Sequence, residues 1–464
     1  MKPTYDSGGS KKSQGQREVQ DEHGTLYRLT DKVSEGGQGV VCFTEYPGVL
    51  VKVSKFPRAH AHSASWFEQV QRVKRLPLDG LKVARPQAMI VKPRHGYVME
   101  LMDGLEPLHH LLEAPAERGT HGFLETGGLS RRLRLLAALA GTLSELHGRG
   151  LAYGDLSPGN VFVSRSTEHS EVWLIDCDNI GVLSQTSAHP VYTPDYGAPE
   201  IVRGVSGIDS LTDAWSFAVI AFQLLTLQHP LKGDLVNDGD EDVEQRALRG
   251  ELPWIDDADD GSNRASSGIP RNWVVSNKLA SLFQQCFGPG RNAPLERPTM
   301  SEWRAALELA LNMLVSCGNC GSMFYFNADW QCGFCDHVES AGQHLLLRHF
   351  LHAPELKDEP GVQGDCLIRT GYHQVLNDAP IELCASPPGT ATYAQSDAYC
   401  TLTITDDGLC IDPVRGMSVQ LQTQSDANLK LLKRREIRAP RRVRETYALH
   451  LGDAERRHVW FFQW

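Results

Sequence analysis

The chain has 464 residues, 41% of them hydrophobic and 22% charged; at about 150 residues per domain this is room for about three units. That balance excludes a collagen-like, wholly disordered or polytopic membrane protein. Forty-six lysines and arginines against 57 aspartates and glutamates leave a net charge of −11, so a dedicated nucleic-acid binder is not expected.

Residues 1–25, MKPTYDSGGSKKSQGQREVQDEHGT, contain no apolar segment that could act as an export signal and read as a disordered leader. From 26 to 102, short apolar runs alternate with turns around one helical patch, SASWFEQVQRVKRL, which predicts a small sheet with one helix. From 103 to 315 the period becomes helical, notably in RRLRLLAALAGTLSELH, AWSFAVIAFQLLTL and SEWRAALELALNML, while DLVNDGDEDVE and DDADDGSNRASSG read as solvated acidic loops. The most apolar run, Phe217 to Leu227, is short of the roughly 20 residues that span a bilayer, so no membrane association is expected and a cytoplasmic location follows. Residues 345–464 return to strand-like alternation and predict a β-rich domain.

Between two strand-like runs lies Ser34-Glu35-Gly36-Gly37-Gln38-Gly39-Val40-Val41, either a plain hairpin turn or a loop whose glycines let backbone N–H groups reach phosphate oxygens. Lys52 follows on an apolar strand, where it is a solvent-facing edge residue or needs a counter-charge. The only glutamate between Val53 and Met99 is Glu68, in the helical patch, so any glutamate pairing with Lys52 is forced onto it.

Further on, Asp155 and Asn160 lie five apart in YGDLSPGN, and Asp176 ends the apolar run WLID. One carboxylate to orient a hydroxyl, with an amide and a second carboxylate to hold Mg²⁺, is a constellation for phosphoryl transfer.

With these motifs, residues 26–310 resemble a eukaryotic-type (Hanks-like) bacterial Ser/Thr protein kinase. The resemblance implies an α+β, bilobal protein kinase-like fold with an N-lobe at 26–102 and a C-lobe at 103–315. It further implies that Gly36, Gly37, Gly39 and Val41 cover ATP, and that Lys52 binds its α- and β-phosphates and pairs with Glu68. Glu100 and Met102, after Met99, would form the adenine-binding hinge. Asp155 would be the catalytic base contacted by Thr193, and Asn160 and Asp176 would hold Mg²⁺ or Mn²⁺. TPDYGAPE resembles the substrate-docking end of an activation segment, with Arg297 of ERPT placed to pair with Glu200, and Asp213 opens a buried central helix. GDLSPGN and IDCDN also resemble aminoglycoside- and choline-type small-molecule phosphotransferases, which lack TPDYGAPE. The sequence departs from the kinase pattern at Ser34, Gly154, Ser157 and Cys177-Asp178; the last pair, standing for Phe-Gly, keeps a nucleotide-binding pseudokinase scaffold as an alternative. Gly154 in place of an arginine implies activity without phosphorylation of the activation segment.

Cys317-x-x-Cys320 and Cys332-x-x-Cys335 predict a structural, four-thiolate Zn²⁺ site over 316–337, resembling a zinc ribbon. The other seven cysteines show no ligand spacing. Residues 433–444, KRREIRAPRRVR, carry seven cations, a charged edge or a docking patch. The 345–464 unit faintly resembles phosphopeptide-binding modules. Kinases with appended ribbons resemble those of bacterial stress systems, whose neighbours imply protein substrates, a metal-dependent Ser/Thr phosphatase and a von Willebrand A-type protein as partners.

Overall fold

The computed structural model describes residues 18–183, 192–326, 330–339, 344–357, 366–377, 379–385, 397–439 and 445–464. Most of the expected leader, part of the activation segment (184–191) and the end of the basic stretch (440–444) lie outside the described residues.

Six antiparallel strands, β1 (Glu18–Asp21), β2 (Leu26–Glu35), β3 (Gly39–Thr44), β4 (Val49–Ser54), β5 (Ala88–Lys92) and β6 (Gly96–Glu100), close into a barrel in the order β1-β2-β3-β4-β6-β5. Strand β1 corrects the leader boundary: it pairs with both β2 and β5 and buries Val19. Its single apolar side chain gave no alternation to read. Helix α1 (Ala61–Lys74) turns Ser63, Trp66, Val70 and Val73 inward, at helical spacing, and rests on the barrel.

The second lobe is built from β7 (Leu105–Pro107), α2 (His110–Glu125), α3 (Gly128–Gly148), β8 (Leu151–Ala152), β9 (Val161–Ser164), β10 (Val172–Leu174) and β11 (Gly181–Val182), followed by α4 (Ser210–Thr226), α5 (Asn277–Phe287) and α6 (Met300–Leu311). Helix α4 is apolar on nearly every side and forms the centre of the lobe, with Trp215, Phe217 and Phe222 fully buried. Its start is fixed by a capping box in which Asp209 accepts from Thr212 N–H and Thr212 Oγ1 accepts from Asp209 N–H.

Strands β12 (Leu314–Ser316) and β13 (Met323–Tyr325) carry the four-cysteine unit out of α6. Beyond it, two sheets face each other. One has six strands in the order β15-β14-β23-β22-β19-β20: β14 (Leu345–His352), β15 (Leu367–Leu376), β19 (Val419–Thr423), β20 (Asp426–Leu431), β22 (Thr446–Leu451) and β23 (Arg457–Gln463). The other has four, β16-β17-β18-β21: β16 (Ile381–Cys384), β17 (Ala398–Thr405), β18 (Gly408–Pro413) and β21 (Glu436–Arg438). Leu347, Leu449 and Trp460 from the first meet Leu402, Leu409 and Ile411 from the second, which makes this unit a β-sandwich. Among the described residues no helix is long and apolar enough to cross a membrane.

Candidate active site

The two lobes meet at the end of β10, where alternating apolar residues bring Asp176 out of the strand with φ 53°. Lys52, on β4, is 5% exposed and pairs with Asp176 and, at 2.7 Å, with Asp178 Oδ2. Burial opposes the ammonium charge, yet the carboxylates of Asp178 and Asp176 outweigh it and raise the Lys52 pKa. Burial, and then the charge of Asp178, push Asp176 up to about 6 against the pull of Lys52.

Glu68 does not take part. It lies on the exposed side of α1, two residues beyond the inward-facing Trp66, which on a helix is more than half a turn away. The expected Lys52–Glu68 pair is replaced by Lys52–Asp178, and Asp178 also accepts from Trp66 Nε1 at 2.8 Å. The sequence expectation names neither Trp66 nor Asp178 as a partner of Lys52. The available signals were an isolated tryptophan in the helical patch and an acid where Gly was expected.

The loop after β8 is held from below. Asp213, near the start of α4, accepts from Tyr153 N–H at 2.7 Å, Gly154 N–H at 2.9 Å and His147 Nε2 at 3.0 Å. Gly154 has φ 92°, and a Cβ there would lie 3.0 Å from Ile208, so the arginine expected at this position would strain the loop. Asp155 then projects into the cleft, accepting from Thr193 Oγ1 at 2.7 Å. Asn160 Nδ2 donates to the Asp155 carbonyl at 2.9 Å, which turns the amide oxygen away from that carbonyl. Asp155, Asn160, Asp176, Lys52 and Thr193 thus share one cleft.

Above it, the Gly36 N–H donates to the Gly39 carbonyl at 3.0 Å, and Gly36 and Gly37 have open space where a side chain would stand. Gly39 has none: a Cβ would sit 2.8 Å from the Val53 carbonyl and 3.3 Å from Lys52 Cγ. Glu35, beside this loop, is pulled down to about 2 by Lys55 and Lys32. Val41, Leu50 and Met99 supply an apolar wall. At the hinge, Leu101 N–H is taken by Gly48 O at 2.8 Å, and Glu100 and Met102 also line a cavity of about 160 Å³ with Leu81 and Trp173.

Behind the activation segment, Arg297 grips Glu200 with two buried hydrogen bonds of 2.6 and 2.7 Å and lies 4.9 Å from the Trp215 ring centre. Away from the cleft, the sulfurs of Cys317, Cys320, Cys332 and Cys335 lie within 4.8 Å of one another. The Cys317–Cys335 and Cys320–Cys332 separations are 3.6 and 3.8 Å. A tetrahedron of Zn–S bonds of about 2.3 Å has edges of about 3.8 Å, whereas a disulfide needs about 2.05 Å.

A two-lobed fold closed on this cleft is the architecture of the protein kinase family. Residues 49–306 match the protein kinase domain, more than half of the chain, and the chain belongs to that family. It is 28% identical over 222 residues to the Ser/Thr-protein kinase Pkn1 of Myxococcus xanthus, covering 45% of this chain and 30% of that protein. It is 31% identical over 226 residues to the Ser/Thr-protein kinase pkn3 of the same organism, covering 45% of this chain and 39% of that protein, and 30% identical over 141 residues to myosin light chain kinase A of Dictyostelium discoideum, covering 30% and 44%. The chain therefore spans less than half the length of these relatives.

Proposed function

We propose that this chain is an Mg-ATP-dependent Ser/Thr protein kinase, acting in bacterial signalling. The observation that carries the reading is the convergence of Lys52, Asp155, Asn160 and Asp176 in one cleft, with the Asp155 loop fixed by two backbone bonds to Asp213. The Asp176 carboxylate and the Asn160 amide oxygen are hard donors of the kind that hold Mg²⁺ or Mn²⁺ beside phosphate oxygens. When bound, the metal neutralises charge on the transferred phosphoryl group. Lys52 would position the α- and β-phosphates, the backbone of Gly36, Gly37 and Gly39 would cover them, and Val41 and the hinge backbone from Glu100 to Met102 would receive the adenine.

Asp155 would orient the substrate hydroxyl and take its proton; Thr193, bonded to the same carboxylate, would align the docking end of the activation segment. The buried Glu200–Arg297 pair favours a protein substrate over a small molecule, since it fixes the TPDYGAPE platform that small-molecule phosphotransferases lack. The presence together of Lys52, Asp155, Asn160 and Asp176 favours an enzyme over a pseudokinase scaffold.

Transfer of labelled phosphate to a generic protein acceptor tests this directly. Asp155→Ala should lower kcat about a thousandfold while leaving nucleotide affinity intact; undiminished transfer by Asp155→Ala would overturn the assignment. We further propose a structural Zn²⁺ on the four cysteines, a cytoplasmic location, and a recognition role for the sandwich. A metal-dependent Ser/Thr phosphatase and a von Willebrand A-type protein are the partners that the resemblance supports, tested by co-purification.

A further inference from the structure

On the kinase reading Asp176 would hold the metal, so Lys52 would need a second carboxylate to orient it. Helix α1 cannot provide one. Its inward face is Ser63, Trp66, Val70 and Val73, and Glu68, its only acid, lies outside the cleft. The second carboxylate on Lys52 comes from the other lobe, from Asp178.

We propose that Asp178 is the positioning residue for Lys52, and that Trp66 latches α1 to it. The inference rests on the kinase reading above. Asp178 is fully buried, and its Oδ2 receives two hydrogen bonds, from Lys52 Nζ at 2.7 Å and Trp66 Nε1 at 2.8 Å. A buried carboxylate is tolerated only with donors of this kind. The Lys52 ammonium also lies 5.8 Å from the Trp66 ring centre and 5.9 Å from that of Tyr97, so lysine, indole and carboxylate form one packed unit. The consequence is a different mechanical linkage. Movement of α1 reaches the lysine through a neutral indole N–H and through the segment carrying Asp176, so the helix, the lysine and the metal loop shift together.

The test uses the full zinc-loaded chain, with kcat, KM for ATP and Mg-ADP affinity by calorimetry measured on five proteins. Asp178→Asn should lower kcat at least tenfold, with KM for the protein acceptor within twofold of wild type. Glu68→Gln should stay within twofold in every parameter. Asp178→Gly should be as impaired as Asp178→Asn, and adding Trp66→Glu to it should restore kcat at least fivefold, because a glutamate at position 66 would place a carboxylate beside Lys52 from the helix side. A purely structural role for Asp178 predicts no such rescue. Near-wild-type kcat in Asp178→Asn, or a tenfold loss in Glu68→Gln, would overturn the proposal. If Asp178→Asn does not fold, the Glu68→Gln result and the rescue decide. If the wild-type chain transfers no phosphate, the kinase reading fails separately, and a tenfold loss of Mg-ADP affinity in Asp178→Asn but not in Glu68→Gln still supports the assignment.

Discussion

Tyr153 and Cys177 show how single residues compensate within the cleft. Cys177 stands where the resemblance implies a phenylalanine, and its small thiol is fully buried, donating to the Ala84 carbonyl at 3.2 Å. Tyr153 is also fully buried and its hydroxyl donates to the Ile175 carbonyl, the residue before Asp176. Both side chains lie in the same core cluster, and their two side-chain-to-backbone bonds hold the loop that carries Asp176. The Glu200–Arg297 pair shows the opposite economy, in which charge is buried only because geometry satisfies it. Glu200→Gln leaves the Arg297 guanidinium buried with no counter-charge, and removing one partner of such a pair costs about 3–5 kcal/mol. Thermal unfolding of the full chain should register it as a fall in the C-lobe midpoint; a midpoint unchanged within a degree would show that the pair is not a stabilising tie.

At the scale of elements, β14, β22 and β23 bring imidazoles together on the six-stranded sheet. His349 Nδ1 is bonded to Thr370 Oγ1 at 2.7 Å and its Nε2 meets His458 Nδ1 at 3.0 Å, while His450 is bonded to Gln422 at 3.1 Å and accepts from Arg457 Nε at 3.1 Å. Burial, and then the charge of His458, hold His349 down to about 3; burial, then Arg457, hold His450 down to about 4. Folded values below the unfolded value of about 6.5 mean that the unfolded chain binds protons the folded sheet refuses. Their stabilisation is therefore complete above about pH 6.5 and drains as the pH falls toward the folded values of about 4 and about 3. Under saturating zinc, the sandwich should unfold at lower temperature at pH 5 than at pH 7, and His349→Gln with His450→Gln should flatten that slope; equal slopes would refute the attribution.

The elements also differ in how plainly the sequence announces them. Asp155, Asn160 and Asp176 are legible because the loop and strand that carry them are continuous in the chain. The partner of Lys52 is not, because it arrives from a residue 126 positions away and stands where the kinase resemblance implies a glycine. The β-rich character of 345–464 is legible from alternation, but its division into two sheets depends on pairings such as β14 with β23, which no local pattern encodes.

For the whole molecule, the four-cysteine unit is a shared wedge. Phe334, beside Cys335, lies 5.6 Å from the Trp273 ring centre and 6.1 Å from that of Phe123, both in the C-lobe. On its other side, Val375 of β15 completes an apolar cluster with Val315, Phe324, Cys317 and Cys332. The backbone joins the same parts: Val375 N–H donates to Asn312 O at 2.8 Å, and Asn377 Nδ2 to Leu314 O at 2.8 Å. The sandwich is therefore more than an appended reader, and cutting it away at residue 340 would uncover the cysteine unit that the C-lobe leans on. If four thiolates hold Zn²⁺, as proposed, the metal adds folding energy to a piece too small to keep a core alone. A strong chelator, or Cys320→Ser with Cys332→Ser, should remove the common wedge. Calorimetry should then show the kinase and sandwich transitions both moving to lower temperature than in the zinc-loaded chain. The sandwich deleted from 340 onward should likewise weaken zinc retention by the remainder. If chelation lowers neither transition, the cysteine unit is an independent appendage and the two larger domains are coupled by other contacts.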